Sequence, residues 1–266
     1  MQDGFASTSY GRIHYLSEGS GAPLILLHSN GCSAYEYEEV MAPLARTRRV
    51  IAWDMPGHGD SDPITRHHSV TEYARAVIDL MDTLQIGKAS VLGSSIGGSI
   101  CIALGARHAA RIDRLMPVET PARSPEEARQ NWPRTERSFG FATQTLEDIT
   151  PRFRKATPEF LTRWNIDRNK AGVKAMIDVM WALREYDVVY DMPKVMPKSL
   201  LVFGDRGPTI AKIDTFREQI PHARIEIMKD CGHFPMIDDP EAFAALVGAF
   251  LDEPAVQPEA AAAGAR

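Results

Sequence analysis

The feature that most constrains the fold of this chain is the pentapeptide Gly-Ser-Ser-Ile-Gly at residues 93–97, which follows an apolar run at 89–92. Glycine at its first and last positions lets a strand and the next helix approach each other closely. A helix of small residues is predicted directly afterwards, at 98–104. A buried strand, a G-x-S-x-G turn and a helix together lift a serine hydroxyl above the edge of a sheet. The sequence therefore predicts that Ser95 is a nucleophile.

The composition is that of an ordinary globular chain with a sizeable core. The 266 residues are 44% hydrophobic and 24% charged, with a formal net charge of −5. No apolar run approaches the roughly 20 residues of a membrane span, and from its polar start we expect no signal peptide. The acidic balance argues against nucleic acid as a partner. Cys32, Cys101 and Cys231 are too few and scattered for a disulfide framework or a metal site, so a reducing cytoplasm is predicted.

Short apolar runs of strand length alternate with helical patterns along most of the chain. Strands are predicted at 11–16, 24–27, 50–53, 89–92, 115–118, 199–203 and 224–228. Between them lie helix-length segments such as 70–84, with apolar residues at i, i+3, i+4 and i+7. This alternation predicts an α/β fold, a mostly parallel sheet covered on both faces. Ligands then bind beyond the carboxyl ends of the strands.

The alternation breaks between residues 121 and 192, which carry helical patterns and no strand. Helices are predicted there at 125–132, 145–155, 158–164 and 170–183. We therefore predict a core domain of residues 1–120 and 193–253, with a helical cap at 121–192 inserted after the sixth strand.

Two further segments outside the predicted core stand out by composition. Arg134, Arg137, Arg152 and Arg154 make the cap locally basic, which we interpret as solvated charge. Residues 254–266 are low in complexity, and we predict a disordered tail there.

A serine hydroxyl is a poor nucleophile unless an oriented base takes its proton. His233 is the best candidate base, because it follows the last strand in a loop that can return over the 93–97 turn. An oxyanion hole requires two backbone N–H donors. Ile96, directly after the serine, should supply one, and Asn30 in the turn after the 24–27 strand should supply the other.

Four segments occur in the order and spacing of the α/β-hydrolase fold enzymes: His-Ser-Asn-Gly (28–31), 54–61, 93–97 and Gly-His (232–233). The chain resembles these enzymes over nearly its whole length. That resemblance places the triad acid three residues after Gly204, where this chain has glycine. Either Asp205 serves instead, or the acid is Glu119. We favour Glu119, because a carboxylate buried at an apolar strand end needs a partner, and His233 would supply one.

The segment Met-Pro-Val-Glu-Thr-Pro (116–121), with 54–57 and 233–235, narrows the likeness to the zearalenone lactone hydrolases. This resemblance implies a Ser–His–Glu triad, no cofactor, and an apolar lactone or ester substrate, with mycotoxin degradation as the role. It also implies that Trp181 of the cap contacts the substrate. The 28–31 turn and the early cap depart from that group, so the particular lactone stays open, as does a homodimer.

Two alternatives remain open at this point. A general carboxylesterase or a carbon–carbon bond hydrolase would use the same triad, and the products would distinguish them. A ligand receptor with this fold would bind tightly and turn over slowly, so activity that Ser95→Ala abolishes would argue against it.

Overall fold

A computed structural model of the chain describes residues 1–254. The tail predicted at 254–266 lies outside the described residues except for Pro254. The regular elements of the described chain form one central sheet, the helices on its two faces, and a helical segment at the carboxyl ends of its strands.

Eight strands form one sheet in the order β1-β2-β4-β3-β5-β6-β7-β8. Their bounds are β1 Gln2–Thr8, β2 Gly11–Glu18, β3 Ala22–Leu27, β4 Arg48–Trp53, β5 Ala89–Ser94, β6 Ile112–Val118, β7 Lys198–Gly204 and β8 Arg224–Met228. The pairs β1–β2 and β2–β4 are antiparallel, and all other pairs are parallel. The mostly parallel sheet predicted from the alternating pattern is therefore confirmed, with β1 as an additional edge strand.

Eleven α-helices are found among residues 1–254. Their bounds are α1 Glu38–Ala45, α2 Val70–Thr83, α3 Ile96–Arg107, α4 Pro125–Gln130, α5 Trp132–Phe139, α6 Leu146–Ile149, α7 Pro158–Glu185, α8 Val188–Asp191, α9 Ile213–Gln219, α10 Pro235–Asp238 and α11 Pro240–Asp252. One apolar cluster joins α2 and α3 to one face of the sheet, and a second joins α1 and α11 to the other. Both faces are thus buried, as near-continuous apolar strands require.

The helix predicted at 70–84 shows how local sequence sets a boundary. Ser69 caps α2: its hydroxyl accepts a hydrogen bond from the Glu72 N–H, and the Glu72 side chain accepts one from the Ser69 N–H. This reciprocal capping satisfies two of the N–H groups that a helix start leaves without partners.

The elements between β6 and β7, the segment predicted as a cap, are all helical, but their bounds differ from the predicted ones. The helix predicted at 145–155 shortens to α6 and a 3-10 turn at Thr150–Arg152, and α5 follows α4 where one helix was predicted. The helices predicted at 158–164 and 170–183 both lie in α7, whose backbone is non-helical at Gly172 with φ 72° and ψ 163°, so two helical stretches meet there at a kink. Glycine tolerates this positive φ, so the chain changes direction between the two stretches.

Candidate active site

Ser95 occupies the sharp turn between β5 and α3. Its φ is 56° and its ψ is −111°, a sparsely populated conformation for a residue with a side chain. A Cβ on Gly93 would lie 2.2 Å from the Gly97 carbonyl oxygen, and one on Gly97 would lie 2.1 Å from that of Leu27. The two flanking glycines are therefore required by close backbone approach, as the sequence indicated.

Glu119 is the first residue after β6, at the same edge of the sheet. It is fully buried, and its φ of 44° turns it out of the strand direction. Its Oε1 accepts a hydrogen bond from the Gly204 N–H at 2.8 Å, and its Oε2 accepts one from the Thr209 hydroxyl at 2.8 Å. The Oε2 atom also lies 3.2 Å from Nδ1 of His233. A buried carboxylate needs such donors to offset its desolvation.

Gly207 explains how this carboxylate finds room. It stands three residues after Gly204, where the family resemblance implies an acid. A Cβ at position 207 would lie 2.0 Å from Oε1 and 2.4 Å from Cδ of Glu119. The Glu119 carboxyl group thus fills the space that a side chain at 207 would need. Asp205, the alternative acid, is exposed, and no hydrogen bond joins its side chain to His233 within residues 1–254.

His233 lies on the loop after β8, and its side chain is 15% exposed. Its N–H donates to the Arg152 carbonyl at 2.9 Å, which fixes the loop against the cap. The neighbouring Gly232 N–H donates to Asp238 at 2.7 Å, and the other oxygen of Asp238 accepts the Arg154 N–H at 2.7 Å. Sequence reasoning missed these anchors, because nothing in the motif around His233 specifies a partner in the cap.

The register of the sheet brings these residues to one edge. Ser94 pairs with Val118, Val118 pairs with Val202, and Gly204 pairs with Met228. The Ser95 hydroxyl itself is in no hydrogen bond among residues 1–254, to His233 or to another group. Catalytic hydrogen bonds of this kind are often long without substrate and tighten in the complex.

The two predicted oxyanion donors lie at adjacent strand ends. The N–H groups of Ile96 and Asn30 have no backbone acceptor within the described part of the chain. The Asn30 side chain donates to the Met176 carbonyl in α7 at 2.9 Å and accepts from Nε2 of His58 at 3.1 Å. Burial, reinforced by the nearby His28, lowers the pKa of His58 to about 3. A neutral imidazole and a cap carbonyl therefore hold this turn.

Trp181 lies on α7, and 39% of its surface is exposed. Its ring packs against Trp132 with the centroids 4.6 Å apart, and the Arg184 guanidinium lies 4.4 Å from its centroid. These contacts place it in an exposed aromatic cluster of the cap, and it is not among the residues that line the cap cavity around Arg134 and Arg152. Its contact with substrate remains a prediction.

A strained serine follows the central strand β5, a buried acid follows the neighbouring β6, and a histidine lies on the loop after β8. This arrangement is typical of the α/β-hydrolase architecture. The family described as "Alpha/beta hydrolase family" matches residues 24–246. The chain belongs to this family, and the predicted fold class is confirmed. Hydrolase activity follows from membership of this family.

Particular relatives differ in the bond that they cleave. A 2-hydroxymuconate semialdehyde hydrolase from a Pseudomonas species is 26% identical over 270 residues, covering 91% of both chains. A pimeloyl-[acyl-carrier protein] methyl ester esterase from Neisseria meningitidis is 28% identical, covering 86% of this chain and 78% of that one. The structure of the enol-lactonase from Burkholderia xenovorans matches with a TM-score of 0.84 and 26% identity, covering 94% of this chain and all of that one.

No helix within residues 1–254 is both long and apolar enough to cross a membrane.

Proposed function

We propose that this protein is a serine hydrolase of carboxylic esters or lactones, with Ser95, His233 and Glu119 as its triad. The observation that carries the proposal is the buried Glu119 carboxylate 3.2 Å from Nδ1 of His233, at the same sheet edge as the strained Ser95. A carboxylate there holds the imidazole with Nδ1 protonated, so that Nε2 faces the reaction as a base.

The reaction proceeds in two acyl-transfer steps. Ser95 Oγ attacks the ester carbonyl carbon while His233 takes the hydroxyl proton. The N–H groups of Asn30 and Ile96 stabilise the oxyanion of the tetrahedral intermediate. The intermediate collapses, His233 protonates the departing alkoxide, and an acyl-enzyme remains on Ser95. Water, deprotonated by His233, then attacks the acyl carbon. The Ser95 oxygen departs and takes that proton from His233, and the acid is released.

A covalent probe and a chromogenic ester test this proposal together. We expect a fluorophosphonate to add one label to the wild type, located on Ser95 by peptide mass spectrometry. We expect p-nitrophenyl butyrate to be hydrolysed, and both signals to vanish in Ser95→Ala. Turnover that survives Ser95→Ala, or labelling elsewhere, would refute the triad.

The finer expectation is opening of a resorcylic macrolactone of the zearalenone type, with Trp181 against the substrate. It rests on the sequence resemblance around 116–121, and the enol-lactonase likeness supports lactone chemistry in general. Incubation with the macrolactone followed by mass spectrometry tests it, because lactone opening adds one water and gives a single hydroxy acid.

Carbon–carbon bond cleavage is the second candidate, favoured by relatives such as the 2-hydroxymuconate semialdehyde hydrolase. The same triad would serve, but two fragments would form from a carbon skeleton without an ester. Parallel assays with a vinylogous diketone acid and an ester of similar size decide between the two bond classes.

A further inference from the structure

Thr209 lies in the loop between β7 and α9, and its side chain reaches the candidate triad acid. The residue is buried, with 8% of its surface exposed. Its hydroxyl donates a hydrogen bond to Oε2 of Glu119 at 2.8 Å, and its backbone N–H donates to the same oxygen at 3.4 Å. Nδ1 of His233 lies 3.2 Å from that oxygen as well. Thr209 and His233 therefore act on one oxygen atom of a fully buried carboxylate.

The Thr209 hydroxyl does not cap the turn that follows it. Thr209 directly precedes the 3-10 turn Ile210–Lys212, and a threonine hydroxyl at such a position usually accepts a hydrogen bond from an N–H of the next residues. Within the described chain the Thr209 side chain forms no such bond. A hydroxyl can donate as well as accept, and this one donates to Glu119. A position that commonly serves local structure is thus used for the acid.

Backbone hydrogen bonds hold the loop on both sides of Thr209. The Gly207 N–H donates to the Gly204 carbonyl at 3.0 Å, and the Lys212 N–H donates to the Thr209 carbonyl at 2.9 Å. Nζ of Lys212 also pairs with the Glu127 carboxylate of α4 at 2.6 Å. None of these bonds involves the Thr209 hydroxyl. Removal of the hydroxyl should therefore leave the loop in place.

The Thr209 hydroxyl completes the set of donors around the Glu119 carboxylate. The Gly204 N–H holds Oε1 at 2.8 Å, and the carboxylate is fixed against rotation when Oε2 is held as well. In a triad the acid keeps the imidazole in one orientation and one tautomer. A hydrogen bond from a hydroxyl to a carboxylate is charge-assisted, so it is stronger than a neutral one. The Thr209 bond thus fixes the oxygen that faces Nδ1 of His233.

We propose that Thr209 is a positioning residue for the hydrolysis, and that its hydroxyl holds Oε2 of Glu119 in place for the Nδ1 proton of His233. This inference rests on the proposed triad of Ser95, His233 and Glu119. Glycine at 207 leaves the space that the Glu119 carboxylate fills, and threonine at 209 supplies a donor to that carboxylate. An acid at the end of β6 therefore depends on a partner in the loop after β7.

Two variants of Thr209 separate the hydroxyl from the shape of the side chain. Thr209→Val removes the hydroxyl, and we expect kcat for p-nitrophenyl butyrate to fall about 10- to 100-fold, the size of one hydrogen bond to a charged group. KM should stay within about twofold, because the acid acts in the chemical step. Thr209→Ser keeps the hydroxyl and should retain kcat within about threefold.

Thr135→Val is the matched control for the loss of a buried hydroxyl. Thr135 is also 8% exposed, and its hydroxyl donates to the Asn131 carbonyl at 3.4 Å, within α5 and its first turn. This variant should leave kcat unchanged. Circular dichroism and urea unfolding of all variants show whether each one is folded under the conditions of the assay.

A double-mutant cycle with Glu119→Gln tests whether Thr209 acts through the carboxylate. Thr209→Val should lower kcat by no more than about twofold in the Glu119→Gln background, because the carboxylate that the hydroxyl holds is already gone. A residue that only stabilises the loop would lower kcat by the same factor in both backgrounds. The Nδ1 proton of His233 gives a second measurement, because a proton shared with a carboxylate resonates far downfield in the proton NMR spectrum. This resonance should be sharp in the wild type and Thr209→Ser, and broadened by exchange with water in Thr209→Val.

The possible results distinguish a failure of this inference from a failure of the triad. Wild-type kcat in Thr209→Val, or equal losses of kcat in the two backgrounds, would overturn the role of Thr209 while the triad stands. If Thr209→Val does not fold, Thr209→Ala takes its place in the same cycle and is judged by the same two results. If Glu119→Gln instead retains the wild-type kcat, the proposed triad fails, and the role of Thr209 fails with it.

Discussion

Exchange of the acid between positions 119 and 207 is the sharpest test of the proposed triad. The Glu119 carboxylate lies where a side chain at 207 would go, 2.0 to 2.6 Å from a Cβ built on Gly207. The two positions therefore compete for one space, and only one of them can carry the acid. Gly207 is not among the glycines with positive φ, so its backbone permits other residues once the space is free.

The magnitude for Glu119→Gln follows from its hydrogen bonds. The two carboxylate oxygens accept from opposite sides, Gly204 on one and Thr209 with His233 on the other. An amide has one oxygen, so its NH₂ group must face a donor on one of these sides. We expect kcat to fall about 10³- to 10⁴-fold, as when the acid of a serine triad becomes an amide. That is roughly 4 to 5.5 kcal/mol of barrier.

The swap itself uses three variants assayed with p-nitrophenyl butyrate and by urea unfolding. Gly207→Asp alone should be destabilised by about 1 to 3 kcal/mol, from overpacking beside Glu119, and should lose most activity. Glu119→Ala should be folded and nearly inactive. The double variant Glu119→Ala/Gly207→Asp should be at least tenfold more active than Glu119→Ala, because the new carboxylate enters the vacated space.

Two results would refute this reasoning. One is a Gly207→Asp variant as stable and active as the wild type, since the steric conflict would then not exist. The other is a fall in kcat on Asp205→Asn comparable with that on Glu119→Gln, which would move the acid to the exposed residue. Asp205→Asn should otherwise leave kcat within about twofold, because surface changes without a partner have small effects.

Three further predictions follow from groups around the site. Burial lowers the pKa of His58 to about 3, whereas the ordinary pKa of a histidine is 6.5. Below pH 6.5 the unfolded chain therefore binds a proton at this residue that the folded chain does not bind. The free energy of unfolding should thus fall with acidification. Between pH 7.5 and pH 5, the free energy of unfolding measured with urea should fall by about 2 kcal/mol less in His58→Gln than in the wild type. Asn30→Ala removes the hydrogen bonds to Met176 and His58, and stopped-flow acylation should slow with little change in KM. Asp238→Asn leaves an amide facing the Gly232 or Arg154 N–H, so kcat should fall about tenfold while circular dichroism stays unchanged.

The sequence predicted the parts of the fold that rest on strong local patterns. The apolar strands around 24–27 and 89–92 are buried on both sides, and their runs of aliphatic residues indicate that directly. β1 was not predicted, because its polar sequence buries only Ala6 and its position depends on backbone pairing with β2. Edge strands of this kind carry little signal in their side chains.

Sequence motifs predicted those residues of the candidate site that lie at the end of a single strand. Glycine at 207 and glutamate at 119 indicated together that the acid had moved, and the structure places the Glu119 carboxylate in the space beside Gly207. The cap was harder, since its sequence is polar and its contacts are distant in the chain. The bond from His233 to the Arg152 carbonyl joins residues 81 positions apart through a backbone group that any residue could supply.

The edge of the sheet also explains why strained residues persist at this site. Among the described residues, Ser95 and Glu119 are two of four non-glycine residues with positive φ, and each directly follows a central strand. Each donates its N–H to the neighbouring strand, Ser95 to Val118 and Glu119 to Val202, both at 2.9 Å. The ladder thus continues one residue beyond each strand and holds the backbone until it turns. Strain of about 1 to 3 kcal/mol per residue is tolerable when the surrounding hydrogen bonds fix the conformation. The same parallel register therefore places both side chains at the site and offsets the strain of their backbones. Weakening of the β6–β7 pairing should thus impair the site before it unfolds the chain.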